Sequence, residues 1–400
     1  MPQEAGAPLA ALDTVARMTD STMRWAGRGT EPDAVDRFYA VIPAGGIGSR
    51  LWPLSRADAP KFLHDLTGSG QTLLKETWDR LTPIAGEDRV MIVTGRAHRA
   101  AVEAQLPGLA DHNVVLESEP KDSSAAIGLA AAILERREPG VIIGSFAADH
   151  VIGDLRRFRQ AVVEAVAVAD AGYIATIGIM PTEPAIGFGY IKRGGVLEVE
   201  GAPTALLVER FVEKPDLDTA RGYLDSGGYL WNASMFITRA DVLLTEMAKT
   251  KPELVRGLRR LAEVWDTPDR GAVVDQVWPG LEQIAIDYSV AEPAAAAGRL
   301  AVVPGDFSWD DVGDFASIAK LQSGGRGSDL AILGAHARVL ADSSSGIVVT
   351  DSDRLITLIG VDNIVVVDTQ DALLVTTSEH AQRVKSVVDA LKLSGRTDVL

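Results

Sequence analysis

A chain of 400 residues, 46% hydrophobic and 24% charged, has the mix of an ordinary globular protein and enough length for an ample core in two to three domains. Its 39 Lys and Arg against 55 Asp and Glu leave a formal charge of −16 and a pI near 4.9, which excludes general nucleic-acid binding through basic stripes. It has no cysteine, so disulfides, thiolate catalysis, iron–sulfur clusters and cysteine zinc sites are excluded.

No apolar run reaches the length of a membrane span, and the N-terminus carries acidic residues and no apolar secretory core. A soluble, cytoplasmic protein is expected. Residues 1–37 are polar and spotted with Gly and Pro. They read as a flexible extension, with at most a short helix around Leu9–Trp25. Order is expected from Phe38–Pro43, a strand-length apolar run that ends in a glycine-rich turn. Strand-like runs recur at Arg89–Thr94, Asn113–Glu117, Val141–Phe146 and Tyr173–Met180. Helical patterns separate them at Thr72–Leu81, Arg96–Gln105, Ser124–Arg137 and Leu155–Ala171. Continuous apolar strands alternating with amphipathic helices predict a doubly wound, mostly parallel sheet covered on both faces, an α/β fold.

After Met180 the alternation loosens. Gly189–Lys192, Ala205–Glu213 and Tyr229–Thr238 read as extended, followed by helices near Asp241–Lys249 and Pro252–Trp265. All of this is assigned to one domain, residues 38–322. Ser323–Ser328 reads as a linker. Residues 329–400 form a second, β-rich domain with strands at Ala337–Leu340, Gly346–Thr350, Leu355–Ile359, Ile364–Val367 and Ala372–Thr376, closed by a helix at His380–Lys392. This region has no cluster of chemistry-bearing residues, so it is expected to brace the first domain and to offer a homodimer surface rather than join any chemistry.

Ligands of open α/β sheets bind beyond the carboxyl ends of the strands. The first such end reads Pro43-Ala44-Gly45-Gly46-Ile47-Gly48-Ser49-Arg50-Leu51-Trp52-Pro53. Glycines let the backbone approach phosphate, and Arg50 adds a permanently charged fork. Neither familiar phosphate template fits. No Lys-Ser/Thr pair follows as in the P-loop, and G-x-G-x-x-G spacing is absent, which disfavours a dinucleotide-binding oxidoreductase. The six histidines show no metal spacing, and no Ser/His/Asp arrangement stands out.

The run GGIGSRLWPLSRADAPKFL resembles the opening signature of the sugar-nucleotide nucleotidyltransferases, and within them the mannose-1-phosphate guanylyltransferases. Further matches follow in order: ESEPKDSSAAIGLAA at Glu117–Ala131, FAADH at Phe146–His150, GFGYI at Gly187–Ile191 and FVEKP at Phe211–Pro215. WNASMF at Trp231–Phe236, IDYSV at Ile286–Val290 and WDDVGD at Trp309–Asp314 complete the series. The resemblance spans roughly Phe38 to Lys392. It implies a Rossmann-like nucleotidyltransferase domain and a small β-helix-like C-terminal domain.

The resemblance also implies roles. Asp149 and Asp311 would hold Mg²⁺, a cation suited to two carboxylates completed by phosphate oxygens and waters; an aspartate at a strand end also suits a helix cap. Arg50 and Lys61 would hold the nucleotide triphosphate, with Gly45, Gly46, Gly48 and Ser49 cradling it. Ser123 and Ser124 would face the purine, although Asp122 and Ser123 equally suit a helix N-cap. Lys214 would bind the sugar phosphate, Glu213 and Asn232 the sugar hydroxyls, and Gly189 would admit the backbone close to the sugar. His150 would support Asp149 rather than ligate. The implied reaction is GTP with α-D-mannose 1-phosphate giving GDP-mannose and diphosphate. Another nucleotide and sugar pair, or a non-catalytic homologue that binds the product as a sensor, are the alternatives. Three departures from the pattern stand out: Ser49 for the usual Thr, Ser234 where many members have Gly, and Ala291 where many have Met. A fused isomerase activity, found in some longer members, is not expected.

Overall fold

The computed structural model describes residues 34–323, 330–334 and 337–400. The helix expected around Leu9–Trp25 and most of the expected linker lie outside them. The described chain starts as a short turn, Ala34–Arg37, tied down by Arg37, which donates to Gly140 O at 2.9 Å and pairs with Asp170 at 2.7 Å.

Strands β1 (Phe38–Ala44), β2 (Val90–Gly95), β3 (Val114–Glu117) and β4 (Ile142–Ser145) lie in the order β3-β2-β1-β4, all parallel. Helices α1 (Leu73–Ala85), α2 (Arg99–Gln105) and α3 (Asp122–Arg137) connect them. The absence of polar alternation in β1 follows from burial on both faces. Val41 packs toward α3 with Val93 and Ile143, whereas Ala40 and Ile42 pack toward α1 with Trp78 and Leu81.

The chain leaves β1 for β2 and β3 on one side and returns to β4 on the other, so the order reverses between β1 and β4. That reversal opens a crevice at their carboxyl ends, the place where such sheets bind ligands. β5 (Val151–Ile152) follows at once, then a helix, Leu155–Asp170, and β6 (Ile174–Ile179), β7 (Gly189–Val196), β8 (Leu206–Glu213), β9 (Tyr229–Arg239), β10 (Leu300–Gly305) and β11 (Trp309–Asp310). The full sheet reads β3-β2-β1-β4-β9-β6-β10-β8-β7. β8 and β9 run against the other seven strands. The mostly parallel, doubly wound α/β architecture is therefore as the sequence predicts.

β10 was not expected. Pro304 within the run reads as a strand breaker, yet Leu300, Ala301 and Val302 are fully buried and pair with β6 and β8. Helices Leu217–Ser226, Arg270–Val277 and Phe315–Gln322 are likewise additional to those expected.

In the C-terminal region, β12 (Leu330–Leu333), β14 (Gly346–Thr350) and β16 (Ile364–Asp368) stack in parallel. β13 (Arg338–Asp342) and β15 (Leu355–Ile359) form a second parallel pair, and β17 (Leu373–Thr377) closes the first sheet antiparallel. Each turn of this coil adds one strand to each sheet, the layout of a β-helix. Its interior is the valine run of β14 and β16, packed on Leu51, Leu66, Phe315 and Ile318. The final helix, Val384–Leu393, lays Val384 and Val388 on Trp52.

Candidate active site

The turn after β1 is tight because Gly48 adopts left-handed φ of 74°. A side chain there would strike Lys61: an added methyl would come 2.6 Å from Lys61 Cβ. Gly48 is thus required both by conformation and by the close approach of Lys61. Lys61 is 6% exposed, and its ammonium lies 2.9 Å from Asp149 Oδ2 while donating to Asp311 O. Gly48, Ser49, Arg50, Lys61, Asp149 and Asp311 line one cleft of about 310 Å³. Arg50 and Asp311 face each other across Gly313, where a methyl would sit 3.2 Å from Asp311 Oδ2 and 3.6 Å from Arg50 Nη1.

Asp311 reaches Asp149 because β5 pairs antiparallel with β11, Trp309 opposite Ile152 and Asp310 opposite Val151. The WDDVGD segment divides its labour. Trp309 donates its indole N–H to His150 Nδ1 at 3.2 Å, and Asp310 accepts from Val312 N at 2.7 Å. Asp314 caps the helix at Phe315–Gln322, leaving Asp311 free to face the cleft. His150 is buried and its pKa is pushed down to about 4, first by burial. It is therefore neutral, and it anchors the Asp149 loop through Trp309 and Arg80.

Burial pushes the Asp149 carboxyl up, but the Lys61 ammonium outweighs it and holds the group below its ordinary value. Asp311 is raised by burial and by Asp149, against the pull of Lys61. Two carboxylates in one cleft, with a lysine ammonium between them, are a donor set that calls for positive charge. Among the described residues no group of three or more His, Asp or Glu side chains is placed to hold a metal. The pair fits a hard cation that completes its shell with phosphate oxygens and water.

Gly189, Glu213, Lys214 and Asn232 form a second cluster. Gly178 and Ile179, at the carboxyl end of β6, pair with Asn232 and Trp231, so this cluster opens on the same edge of the sheet. A methyl at Gly189 would lie 2.6 Å from Glu213 Oε2 and 3.3 Å from Asn232 Cβ. Glu213 pairs with Lys214 at 2.6 Å. Asn232 Oδ1 accepts from Thr176 Oγ1 at 2.9 Å and from Ser234 N at 3.1 Å, which turns its amide N–H₂ toward Asp287 Oδ1 at 3.1 Å. Ser234 holds a left-handed φ of 54°, which gives the family's frequent glycine there a physical reason. Asp287 was not among the expected site residues, although it is the aspartate of IDYSV. Burial and then Glu213 push its pKa to about 7, against Lys214.

Neither Ser123 nor Ser124 caps α3 through its side chain. Ser123 Oγ accepts from Ile286 N at 2.9 Å, and fully buried Ser124 shares a 2.7 Å hydrogen bond with Ser289. Their hydroxyls hold the IDYSV segment against the start of α3, and neither caps the helix. Gly46 is open to solvent, and Gly45 lies beside Glu117, whose Oε2 would be 3.3 Å from an added methyl.

Three further groups escaped sequence reasoning. Glu117 is buried, and its pKa rises to about 7 through burial and then Asp122. Arg80 is buried in α1 and donates to His150 O at 2.6 Å, bracing the Asp149 loop from beneath. Its signal was a charge on the apolar stripe of Leu73, Leu74, Thr77 and Leu81. Lys385, on the final helix, lines the same cleft as Arg50 and Lys61, and nothing local in its sequence pointed there.

With the geometry in place, comparison with known proteins is decisive. The nucleotidyl transferase family model matches residues 39–325. The chain belongs to the nucleotidyl transferase family. A second model, the mannose-phosphate isomerase/GMP-like β-helix domain, matches residues 336–391. Mannose-1-phosphate guanylyltransferase of Escherichia coli K12 is 37% identical over 369 residues, 91% of this chain and 75% of its own. The xanthan biosynthesis protein XanB of Xanthomonas campestris pv. campestris is 37% identical over 90% of this chain and 74% of its own. Among solved structures, the Thermus thermophilus protein described as a mannose-1-phosphate geranyltransferase superposes with a TM-score of 0.78 at 31% identity, over 89% of this chain and 99% of that one. The family resemblance carried by the eight motifs, the fold class and the enzyme class are thereby borne out.

Proposed function

We propose that this nucleotidyltransferase moves GMP from GTP to α-D-mannose 1-phosphate, giving GDP-mannose and diphosphate. The observation that carries it is the convergence of Arg50, Lys61, Asp149 and Asp311 in one cleft at the β1/β4 reversal. The choice of mannose and guanine is supported by relatives named mannose-1-phosphate guanylyltransferase that align over most of both chains.

Arg50 and Lys61 hold the triphosphate, aided by the open backbone of Gly45, Gly46, Gly48 and Ser49. Asp149 and Asp311 would hold Mg²⁺, which would supply Lewis-acid polarisation of the phosphate oxygens. Lys214 orients the sugar phosphate, and Glu213 and Asn232 receive sugar hydroxyls beside Gly189. The nucleophile is a phosphate oxygen, already ionised at neutral pH, so no general base is required. It attacks the α-phosphorus in line, the bond to the β-phosphate oxygen breaks, and the electron pair leaves on diphosphate. Positioning and charge stabilisation supply the rate, without a covalent intermediate. We place the reaction in the cytoplasm and the enzyme in a homodimer.

The test is incubation with GTP, mannose 1-phosphate and Mg²⁺, with mass-spectrometric identification of the nucleotide sugar. GDP-mannose is expected, abolished by EDTA and reduced at least about 100-fold in Asp311→Asn. No nucleotide sugar from the folded wild-type chain, or undiminished turnover in Asp311→Asn, contradicts the proposal.

A further inference from the structure

We propose that Lys385 of the C-terminal helix contacts the leaving diphosphate, so that the β-helix module completes the catalytic cleft. The proposal rests on the nucleotidyl-transfer reading and extends it to a residue outside the nucleotidyl transferase domain. Lys385 lines the cleft together with Ser49, Arg50 and Lys61. The cationic side chains there differ in commitment. Lys61 is bound to the Asp149 carboxylate and the Asp311 main-chain carbonyl, whereas Arg50 and Lys385 have no carboxylate within 4 Å among the described residues. Two uncommitted cations at the mouth of a cleft whose floor is acidic are suited to a polyanion that enters with its terminal phosphates outward.

The helix that carries Lys385 is pinned. Val384, next to it, and Val388, one turn on, pack on Trp52, and Trp52 Nε1 donates to Val399 O at 2.6 Å. Gln382 Nε2 donates to Asp314 Oδ2, joining the same helix approach to the WDDVGD segment. Arg56 grips Asp371 at 2.6 and 2.9 Å. Arg50 is two residues from Trp52, so one short segment binds phosphate with one side chain and seats the helix of Lys385 with the next. As the bond from the α-phosphorus to the β-phosphate oxygen breaks, negative charge grows on diphosphate. The Lys385 ammonium stabilises that charge by hydrogen bonding, and no proton is transferred.

The experiment is calorimetric titration of the full chain with inorganic pyrophosphate and Mg²⁺, beside steady-state kinetics. Lys385→Ala is expected to weaken pyrophosphate binding and to lower kcat/KM for the nucleotide by roughly 10- to 100-fold, with part of the loss in kcat, and with KM for the sugar phosphate unchanged. Lys385→Arg is expected to restore most of both. Lys392→Ala, a charge removed from the same helix outside the cleft, serves as the control for net charge and should match wild type. Equal pyrophosphate binding by Lys385→Ala and wild type overturns the proposal while leaving the transfer reading intact. A wild type that binds pyrophosphate through Lys385 but makes no nucleotide sugar overturns the transfer reading instead. Loss of binding with an altered melting temperature in Lys385→Ala, not rescued by arginine, assigns Lys385 a structural role and overturns the proposal.

Discussion

At the residue scale, the two lysines named in the sequence sit in opposite surroundings. Lys61 is buried between two aspartates, whereas the Lys214 side chain is 57% exposed and tied to Glu213. Burial would lower Lys214, but the hydrogen bond and charge of Glu213, with Asp287, raise it, so it stays charged. Lys214→Ala should chiefly raise KM for the sugar phosphate, because it removes a ground-state contact. Lys61→Ala should chiefly cut kcat, because its charge acts where negative charge grows. Steady-state kinetics with each substrate varied checks this, and swapped phenotypes would reverse the subsites. Glu117 carries a pH prediction. Its folded pKa of about 7 lies above the ordinary 4.5, so the folded chain keeps a proton that the unfolded chain loses. Its contribution to stability is therefore present below 4.5 and is lost as pH rises through 7. Glu117→Gln removes that loss, worth on the order of 3 kcal/mol. Thermal melts should show the variant near wild type at pH 4.5 and clearly more stable at pH 8. An equal difference at both pH values would contradict it.

At the element scale, LWPLSR is a joint as well as a phosphate motif. Arg50 faces the cleft, Leu51 enters the β-helix core, Trp52 seats the final helix and Arg56 grips Asp371. Trp52→Ala should cost roughly 3–5 kcal/mol and, by releasing the helix of Lys385, raise KM for the nucleotide more than for the sugar phosphate. Melting temperature and kinetics measured together check this; a purely thermal effect would show that the joint is only a brace. The parallel strands and their helices were legible because continuous apolar runs and helical periods report burial directly. The glycine turn, Asp149, Lys61 and the Gly189–Glu213–Lys214–Asn232 group were legible because they lie within motifs. Arg80, Lys385 and the β10 strand were not. A buried arginine looks like a surface charge, a lysine on a remote helix acquires meaning only through docking, and Pro304 disguises a central strand. The hydroxyl partners of Ser123 and Ser124 were not legible for the same reason: Ile286 and Ser289 are over 160 residues away.

At the scale of the whole molecule, residues 34–400 form one compact unit. The expectation that the β-rich region stands apart from the chemistry gives way to a cleft whose wall it helps to build. On the β13/β15 pair, Leu340, Leu355 and Ile359 share one face and are each more than half exposed. A monomer rarely leaves three large apolar side chains exposed together on a two-stranded parallel pair without a partner. The homodimer proposed above is expected to use this face, and Leu355→Glu with Ile359→Glu should give a monomer by light scattering with the melting temperature little changed. A wild-type monomer at micromolar concentration removes the dimer.

Direct nucleotidyl transfer with guanine and mannose as the preferred pair is open to a single measurement. Diphosphate release should be measured for the full chain across GTP, ATP, UTP and dTTP, each with mannose 1-phosphate and glucose 1-phosphate. The highest kcat/KM is expected for GTP with mannose 1-phosphate, with strict dependence on both substrates. A higher kcat/KM for any other pair, or diphosphate release without a sugar phosphate, would contradict it.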